Sequence, residues 1–439
     1  MTIRPRFSTL MLAALLAVAV VLAGAVAVLG RDDDPPGATV VTVRLWDDQV
    51  AAAYRESFAE FSRTHPDIEV RTTLVSYASY FDTLRTDVAG GGADDIFWIN
   101  NSHFAEYADN GRLMPITPSA DWEPSVVAQF TRAGTLWGVP QLTDAGIALY
   151  YNAELLEAAG VTPEDLGAAR WDPDPARDTL RPLLARLTVD AAGKTAATAG
   201  FDPRRIRQWG YNAANDLQGI NLNYIGSAGG MFSDGDRFAF DNPQTVAALS
   251  YVVDLINTDH VAPPASDTND NGDFSRNQFL SGRMAVFQSG TYNLAQVAGQ
   301  ARFRWGLAML PAGPAGRVSV TNGIVAAGNP ATRHPEAVHA VLDWLGGAGN
   351  AFLGRTGAAI PAVLSAQRVY FDYWKTKNLD VTPFFAVLDG PRIDAPGGAG
   401  FAAGFQAIKP FFDEMFLGRS PVAESLAAAQ RAANTAAGR

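Results

Sequence analysis

Cysteine is absent from the 439 residues. That excludes disulfides, thiolate metal sites, thiol nucleophiles, iron–sulfur clusters and any lipid anchor carried on a cysteine. Lysine is nearly absent: four lysines stand against thirty arginines, a pattern of GC-rich coding before one of function. The five histidines show no metal-ligand spacing, since the nearest pair, His334 and His339, lies five apart and falls on different faces of a helix. No metal and no cofactor are therefore expected. Excess positive charge is missing as well. With a net charge of −11, the chain lacks the cations that release counterions from a nucleic-acid backbone. A nicotinamide fold would need Gly-x-Gly-x-x-Gly after the first strand, where Asp47-Asp48-Gln49 stand instead. Gly90-Gly91-Gly92 precedes a strand rather than opening a helix, so it is no phosphate loop.

Long apolar runs are missing everywhere but at one place. Phe7 to Gly30 carries no charge and exceeds the ~20 residues that cross a bilayer. Arg4 and Arg6 precede it and Asp32-Asp33-Asp34 follow, which favours a cytoplasmic N-terminus and an extracytoplasmic body. Ala25-Val26-Ala27 offers a small-x-small cleavage site, so the segment reads as a transmembrane anchor or as a signal peptide that is removed. What is present otherwise is a globular composition, 48% hydrophobic and 18% charged, in a chain too long for one core.

Val40 to Trp46 is a β-branched strand, and Gln49 to Thr64 is helical, with Tyr54, Phe58 and Phe61 on one face. His65-Pro66 ends that helix. Ile68 to Val75 alternates as a second strand, Tyr77 to Val88 reads as a helix, and Asp95 to Ile99 as a third strand. This order predicts an α/β domain with a largely parallel sheet. Further strands are expected at Thr135–Pro140, Gly146–Tyr151, Met284–Gln288 and Trp305–Leu310. Helices are expected after Asn242-Pro243, over 336–345, 401–416 and 422–437.

Several landmarks follow one another in an order that resembles the extracellular solute-binding proteins of carbohydrate ABC importers, the family of maltose-binding protein. Glu60-Phe61 to His65-Pro66-Asp67-Ile68-Glu69-Val70 is similar to "F-x-x-x-x-P-x-I-x-V". Val88 to Trp98 is similar to "A-x-G-x-x-P-D-V", with Asp94 in place of the proline. Gly138-Val139-Pro140 with Leu149-Tyr150-Tyr151-Asn152 matches "G-x-P … x-Y-Y-N". Phe279 to Ala285 matches "F-x-x-G-x-A-M", and Gly357 to Pro361 the "G-x-x-P" corner. The resemblance spans roughly residues 40 to 430. It implies a two-lobed periplasmic-binding-protein-like α/β fold, with a ligand cleft between lobes joined by crossover strands. Residues 1–38 would be signal or anchor and linker, 39–145 with 294–350 lobe 1, and 146–293 with 351–439 lobe 2.

A neutral polyol needs an aromatic plate for its C–H face and rigid carboxylates and amides for its hydroxyls. Residues just after strand ends are the place to seek them. Asp47 and Asp48 follow the first strand beside Trp46, with capping of the next helix as the alternative role. Asn100 and Asn101 follow the third. By resemblance Asp144 lies on the first crossover as a cleft carboxylate. Asn221 and Tyr224 come from an amide-rich stretch, and by resemblance Tyr292 matches the second crossover where an aromatic stacks on sugar, Asn322 a small-residue turn facing the cleft, and Arg392 is expected to line the far wall.

The resemblance implies a binder and not an enzyme, a single subunit that acts as a monomer, and sugar and membrane permease as partners. The ATPase would be met only indirectly, since no P-loop is present. The recurring acids extend the ligand range to an amino sugar. A glycosidase would need two carboxylates at a fixed separation, and acid neighbours such as Asp94 and Asp95 point apart on a strand end. A glycerol-phosphate-type ligand would rest on Arg392.

Overall fold

The β-branched run after the linker forms β1, Thr39–Leu45, in the computed structural model, which describes residues 38–439. The apolar run at 7–30, expected to serve as anchor or signal, lies outside the described residues. Among the described residues no helix is long and apolar enough to cross a membrane.

Helix α1, Asp48–Thr64, starts where Asp47 Oδ1 accepts the Gln49 and Val50 N–H groups at 2.8 and 3.0 Å. The cap is thus Asp47, and Asp48 is the exposed first residue of the helix. Tyr54, Phe58 and Phe61 form the buried face, and His65 ends the helix before Pro66. Next come β2, Ile68–Leu74, and α2, Tyr77–Gly90, which stops at Gly91 in the left-handed conformation (φ 75°). β3, Ile96–Asn100, runs directly into α3, Asn101–Asp109.

The remaining principal strands are β4 (Val139–Thr143), β5 (Ala148–Asn152), β6 (Val286–Ser289), β7 (Trp305–Ala308), β8 (Ser319–Thr321), β9 (Gly323–Gly328), β10 (Ile360–Pro361) and β11 (Arg392–Asp394). The first sheet has the order β10-β4-β9-β3-β1-β2. β1 pairs in parallel with β2 and β3, while β9 runs antiparallel between β3 and β4. β1, β3 and β4 therefore point the same way. The second sheet is antiparallel, β6-β5-β7, and β8 pairs with β11 beside it.

Each sheet has its own core. Val43, Phe97, Trp98, Val325 and Leu342 cluster on the first. Trp171, Tyr224, Tyr251 and Phe412 cluster in the second lobe, and a third cluster joins Tyr150, Phe279, Trp374 and Phe384. The third cluster bridges the two, since it holds Ala145 of the crossing and Ile360 of the first sheet together with Tyr150 and Phe287 of the second.

The chain crosses between sheets at 143–148 and at 321–323, and again after β10. The crossings are stitched together. The Asp144 N–H donates to the Asn322 carbonyl at 2.8 Å, the Gly146 N–H to the Phe384 carbonyl at 2.8 Å, and the Ile147 N–H to Ser319 Oγ at 2.8 Å. In the sequence division, 294–350 goes to lobe 1 and 351–439 to lobe 2. The strand pairing differs at both edges. β7 pairs with β5 in the second sheet, and β10 pairs with β4 in the first. A strand's partner is set by tertiary packing, which its own residue pattern does not encode.

Candidate functional site

Three parallel strands end at one edge of the first sheet, and each delivers a polar side chain there: Asp47 after β1, Asn100 at the end of β3 and Asp144 after β4. Ligands of open α/β sheets lie outside such strand ends. Asp47 spends only Oδ1 on its helix cap. Burial lifts its carboxyl above the ordinary value, against the two backbone N–H groups that hold it down.

Asp144 stands on the first crossover. Its Oδ2 accepts a hydrogen bond from Gln218 Nε2 at 3.1 Å. Burial pushes its carboxyl up to about 6, the Gln218 bond opposes this, and the nearby Asp47 charge adds to it.

Gln218 belongs to a π-helix, Leu217–Asn221, which Asp216 opens by accepting the Gly219 N–H on Oδ1 at 2.8 Å. A π-turn leaves carbonyls without their usual helical donors, and here side chains supply them. Gly219 O accepts Gln288 Nε2 at 2.7 Å and Asn223 Nδ2 at 3.1 Å. Gln288 is in turn held by the Tyr211 hydroxyl at 2.5 Å. A buried polar network thus fixes the turn that aims Asp216 and Gln218.

Two tyrosine rings are left open beside these acids. Tyr77 is 56% exposed and Tyr292 41%, against near-complete burial for most aromatics of the chain. The Asp144 and Asp216 carboxylates act electrostatically on both hydroxyls, which places all four groups in one neighbourhood. Water reaches this space, yet protein surrounds it, and that desolvation raises the Asp216 carboxyl and both phenols. Tyr77 packs edge-on against Trp46 with centroids 5.5 Å apart, and its hydroxyl accepts Asn100 Nδ2 at 3.4 Å. Asn100 Oδ1 meets His103 Nδ1 at 2.9 Å. His103 stacks on Phe81 at 3.6 Å, and burial, aided by Arg85, pulls it down to about 4. It is neutral near pH 7, and its contact with a carbonyl oxygen requires the proton on Nδ1.

Of the residues singled out from sequence, Asp47, Asn100, Asp144 and Tyr292 come together here. The others do not. Asp48 is in the exposed first turn of α1. Asn101 turns aside, donating to the Ala395 carbonyl of the other lobe at 2.7 Å. Asn322 holds the crossing through its backbone, and its Oδ1 accepts the Gly323 N–H at 2.9 Å. Asn221 and Tyr224 are 1% and 2% exposed. Tyr224 packs between Trp171 and Tyr251 with its hydroxyl on that of Tyr211 at 3.2 Å, so it is a core residue. The π-turn changes the helical phase, which sends Gln218 rather than Asn221 and Tyr224 toward the crossover. Arg392 is exposed and donates to the Leu388 carbonyl at 3.1 and 3.3 Å.

Tyr77, Asp216 and Gln218 were not singled out from sequence. Tyr77 was within reach, since it follows the end of β2 as Asp47 follows β1. Asp216 and Gln218 lie in the amide-rich stretch but are found only once the π-turn is known.

Residues 47–352 match the model of the family described as bacterial extracellular solute-binding protein. Among curated relatives, the maltodextrin-binding protein MdxE of Bacillus subtilis is 23% identical over 322 residues, 72% of this chain and 71% of that protein. Among solved structures, UspC of M. tuberculosis is 71% identical with a TM-score of 0.74, over 91% of this chain and all of that one. The ABC substrate-binding protein Lmo0181 from Listeria monocytogenes, solved in complex with cycloalternan, is 19% identical with a TM-score of 0.77 over 91% of this chain and 99% of that one, a likeness of fold.

Proposed function

The chain belongs to the bacterial extracellular solute-binding protein family, and from that premise we propose that it captures a sugar in the cleft between its lobes and hands it to the permease of an ABC importer. The observation that carries this reading is the convergence of Asp47, Asn100 and Asp144 from the first sheet and its crossover with Asp216, Gln218 and Tyr292 from the second lobe. Carboxylates and amides accept and donate to hydroxyls, and the open Tyr77 and Tyr292 rings offer plates for the C–H face of a pyranose. The relatives named above for maltodextrin binding and solved with cycloalternan support the same ligand class.

The mechanism is capture without chemistry. Ligand touches both lobes only when they close on the crossings, so it favours the closed form by its greater affinity for it. The permease reads that form, the sugar leaves unchanged, and the receptor acts as a monomer. Its family places it outside the cytoplasm, and the apolar N-terminal run either tethers it to the membrane or is removed.

Three carboxylates in one pocket, Asp47, Asp144 and Asp216, which among the described residues accept hydrogen bonds from amide groups and from no cation, favour a sugar bearing an ammonium group. The phosphate-bearing alternative would rest on Arg392, which is exposed, bonds the Leu388 carbonyl and is not among the charges that act on Asp144. Thermal-shift screening of the purified protein against a sugar panel tests the general reading. A true ligand raises the melting temperature with dose, worth about 2.7 kcal/mol at a hundredfold excess over Kd. A panel that shifts nothing, or a ligand consumed during incubation, would refute it. Titration calorimetry with glucosamine and N-acetylglucosamine tests the charge: equal affinities would remove the amino-sugar reading alone.

A further inference from the structure

Asn100 stands at the N-cap position of α3, where an asparagine oxygen ordinarily accepts an N–H of the first turn. Here it makes no such bond. Its amide is engaged sideways instead. Oδ1 meets Nδ1 of His103 at 2.9 Å, and Nδ2 donates to the Tyr77 hydroxyl at 3.4 Å. Both partners are held from behind by one ring. Tyr77 and Phe81 lie four apart on α2 and pack edge to face, with centroids 6.0 Å apart. The His103 ring lies flat on Phe81, with 3.6 Å between centroids and 2° between planes. Asn100 itself is only 4% exposed, so its amide is boxed between these groups.

The row of bonds has a direction. A carboxamide oxygen carries no hydrogen, so the contact with His103 needs the proton on Nδ1. His103 then donates to Asn100, and Asn100 donates to Tyr77. The Tyr77 oxygen accepts, which leaves its own proton over, and no acceptor among the described residues takes it. The opposite order, with Tyr77 donating to a turned amide and His103 accepting, would use the same number of bonds. The local field separates the two. The Asp144 and Asp216 carboxylates act on the Tyr77 hydroxyl, and a chain of dipoles is lower in energy with its proton end toward anions. Tyr77 is 56% exposed, so that end opens on the pocket.

We propose that His103 is a positioning residue for ligand recognition: through Asn100 it fixes the Tyr77 hydroxyl as a hydrogen-bond donor to the ligand. The inference rests on the sugar-capture reading above and adds to it the direction of one bond. A sugar hydroxyl both accepts and donates, whereas an ionised carboxylate only accepts. A hydroxyl set between Tyr77 and the acids is therefore satisfied twice, accepting from the tyrosine and donating to an aspartate. An ammonium group has no lone pair to offer Tyr77, so the amino group of a cationic sugar faces the acids away from that ring.

Two measurements on the full chain test this. Nitrogen-15 NMR of histidine-labelled protein, with His103→Phe to assign the signal, should find the ring proton on Nδ1. A proton on Nε2 would reverse the chain and overturn the proposal whether or not a sugar binds. Titration calorimetry with glucose, glucosamine, N-acetylglucosamine and maltose then measures coupling on the sugar that binds best. Tyr77→Phe, which keeps the ring, should weaken it about fivefold, the loss of one hydrogen bond. His103→Phe, which keeps the stack on Phe81, should cost a similar factor, and His103→Asn, which returns an N–H donor near the place of Nδ1, should restore most of it. Added to Tyr77→Phe, the His103→Phe change should have no further effect. Equal weakening by His103→Phe with and without the Tyr77 hydroxyl would mean that His103 only shapes the fold, which overturns the positioning role and leaves sugar capture standing. If none of the four sugars binds the unaltered chain, the capture reading and the recognition step fall together.

Discussion

Asp144 Oδ2 accepts the Gln218 side-chain amide at 3.1 Å, which ties the first crossover to the π-helix of the second lobe. The bond does not make Asp144 comfortable as an anion. Its folded-state carboxyl stands at about 6, above the ordinary 3.8. Between pH 4 and 6 the folded protein therefore holds this proton more tightly than the unfolded chain does, and this group's contribution to stability falls as pH rises through that window. Near pH 7.5 the ionised group costs on the order of 1–3 kcal/mol. Asp144→Asn keeps an acceptor for Gln218 and removes the charge. It should raise the melting temperature at pH 7.5 and leave it unchanged near pH 4. Calorimetric scans at the two pH values decide, and a lowered melting temperature at pH 7.5 would show that the carboxylate stabilises the fold.

The same titration reaches the ligand. A cationic sugar gains from Asp144 only while that carboxylate is ionised, so its affinity should drop about tenfold between pH 7 and pH 5. A neutral sugar should show a flat profile. Titration calorimetry of glucosamine against glucose across this range separates the two, because the ammonium group of the former stays charged over most of it.

Tyr77 and Tyr292 hold little of the fold, being 56% and 41% exposed. Tyr292→Ala should weaken sugar binding by about ten- to thirtyfold, the loss of a stacked ring and the apolar area it covers. Melting temperature without ligand should barely move. Tyr77→Ala should act similarly and also release Asn100, whose amide it accepts at 3.4 Å. Tyr292→Phe, which keeps the plate, should bind nearly as well as the unaltered chain. If Phe fails as badly as Ala, the hydroxyl and not the ring is what the sugar uses.

The helices and the first-sheet strands were legible in the sequence because local rules govern them. Asp47 or its neighbour had to cap α1, Pro66 had to end it, and the 16 residues of Phe401–Phe416 show their apolar face in full. The strand-end rule found Asp47 and Asn100 for the same reason, since a strand's end is a local feature; Asp144 came from the family resemblance, because the strand before it runs on to Thr143 and not only to Pro140. What lay beyond reach was non-local. The pairing of Trp305–Ala308 with β5 depends on a partner far away in sequence, Trp305 facing Asn152 and Ala308 facing Leu149. The π-turn at 217–221 depends on Gln288, which satisfies Gly219 from another strand. Read with ordinary helical spacing, that stretch offers Asn221 and Tyr224; with the turn in place, it offers Asp216 and Gln218.

That difference is itself testable. Tyr224 is sealed between Trp171 and Tyr251, so Tyr224→Phe should leave sugar affinity unchanged and cost about 1 kcal/mol of stability through the lost bond to the Tyr211 hydroxyl. Tyr224→Ala should cost about 3–5 kcal/mol. Urea unfolding and sugar titration of the Phe variant decide it. A large loss of affinity with intact stability would return Tyr224 to the binding surface.

Beneath the site, Arg44 crosses β1 with a side chain only 8% exposed and is held by Asp94 at 2.5 Å and Asp87 at 2.7 Å. The two acids are not equivalent. Asp94 is 9% exposed and also accepts Thr73 Oγ1 at 2.9 Å, whereas Asp87 is 37% exposed and shares its charge with water. Asp94→Ala leaves a buried guanidinium short of its nearest counter-charge and should cost about 3–5 kcal/mol. Asp87→Ala removes a solvent-screened partner and should cost no more than about 1 kcal/mol. Asp94→Ala with Arg44→Met removes the stranded cation and should recover most of the loss, because an apolar side chain at position 44 packs where the guanidinium had to be desolvated. Urea titration of the three variants at pH 7 measures the order. Equal costs for the two single acid changes would mean that Arg44 is reached by water after all, and that its burial in the sheet is not what makes Asp94 necessary.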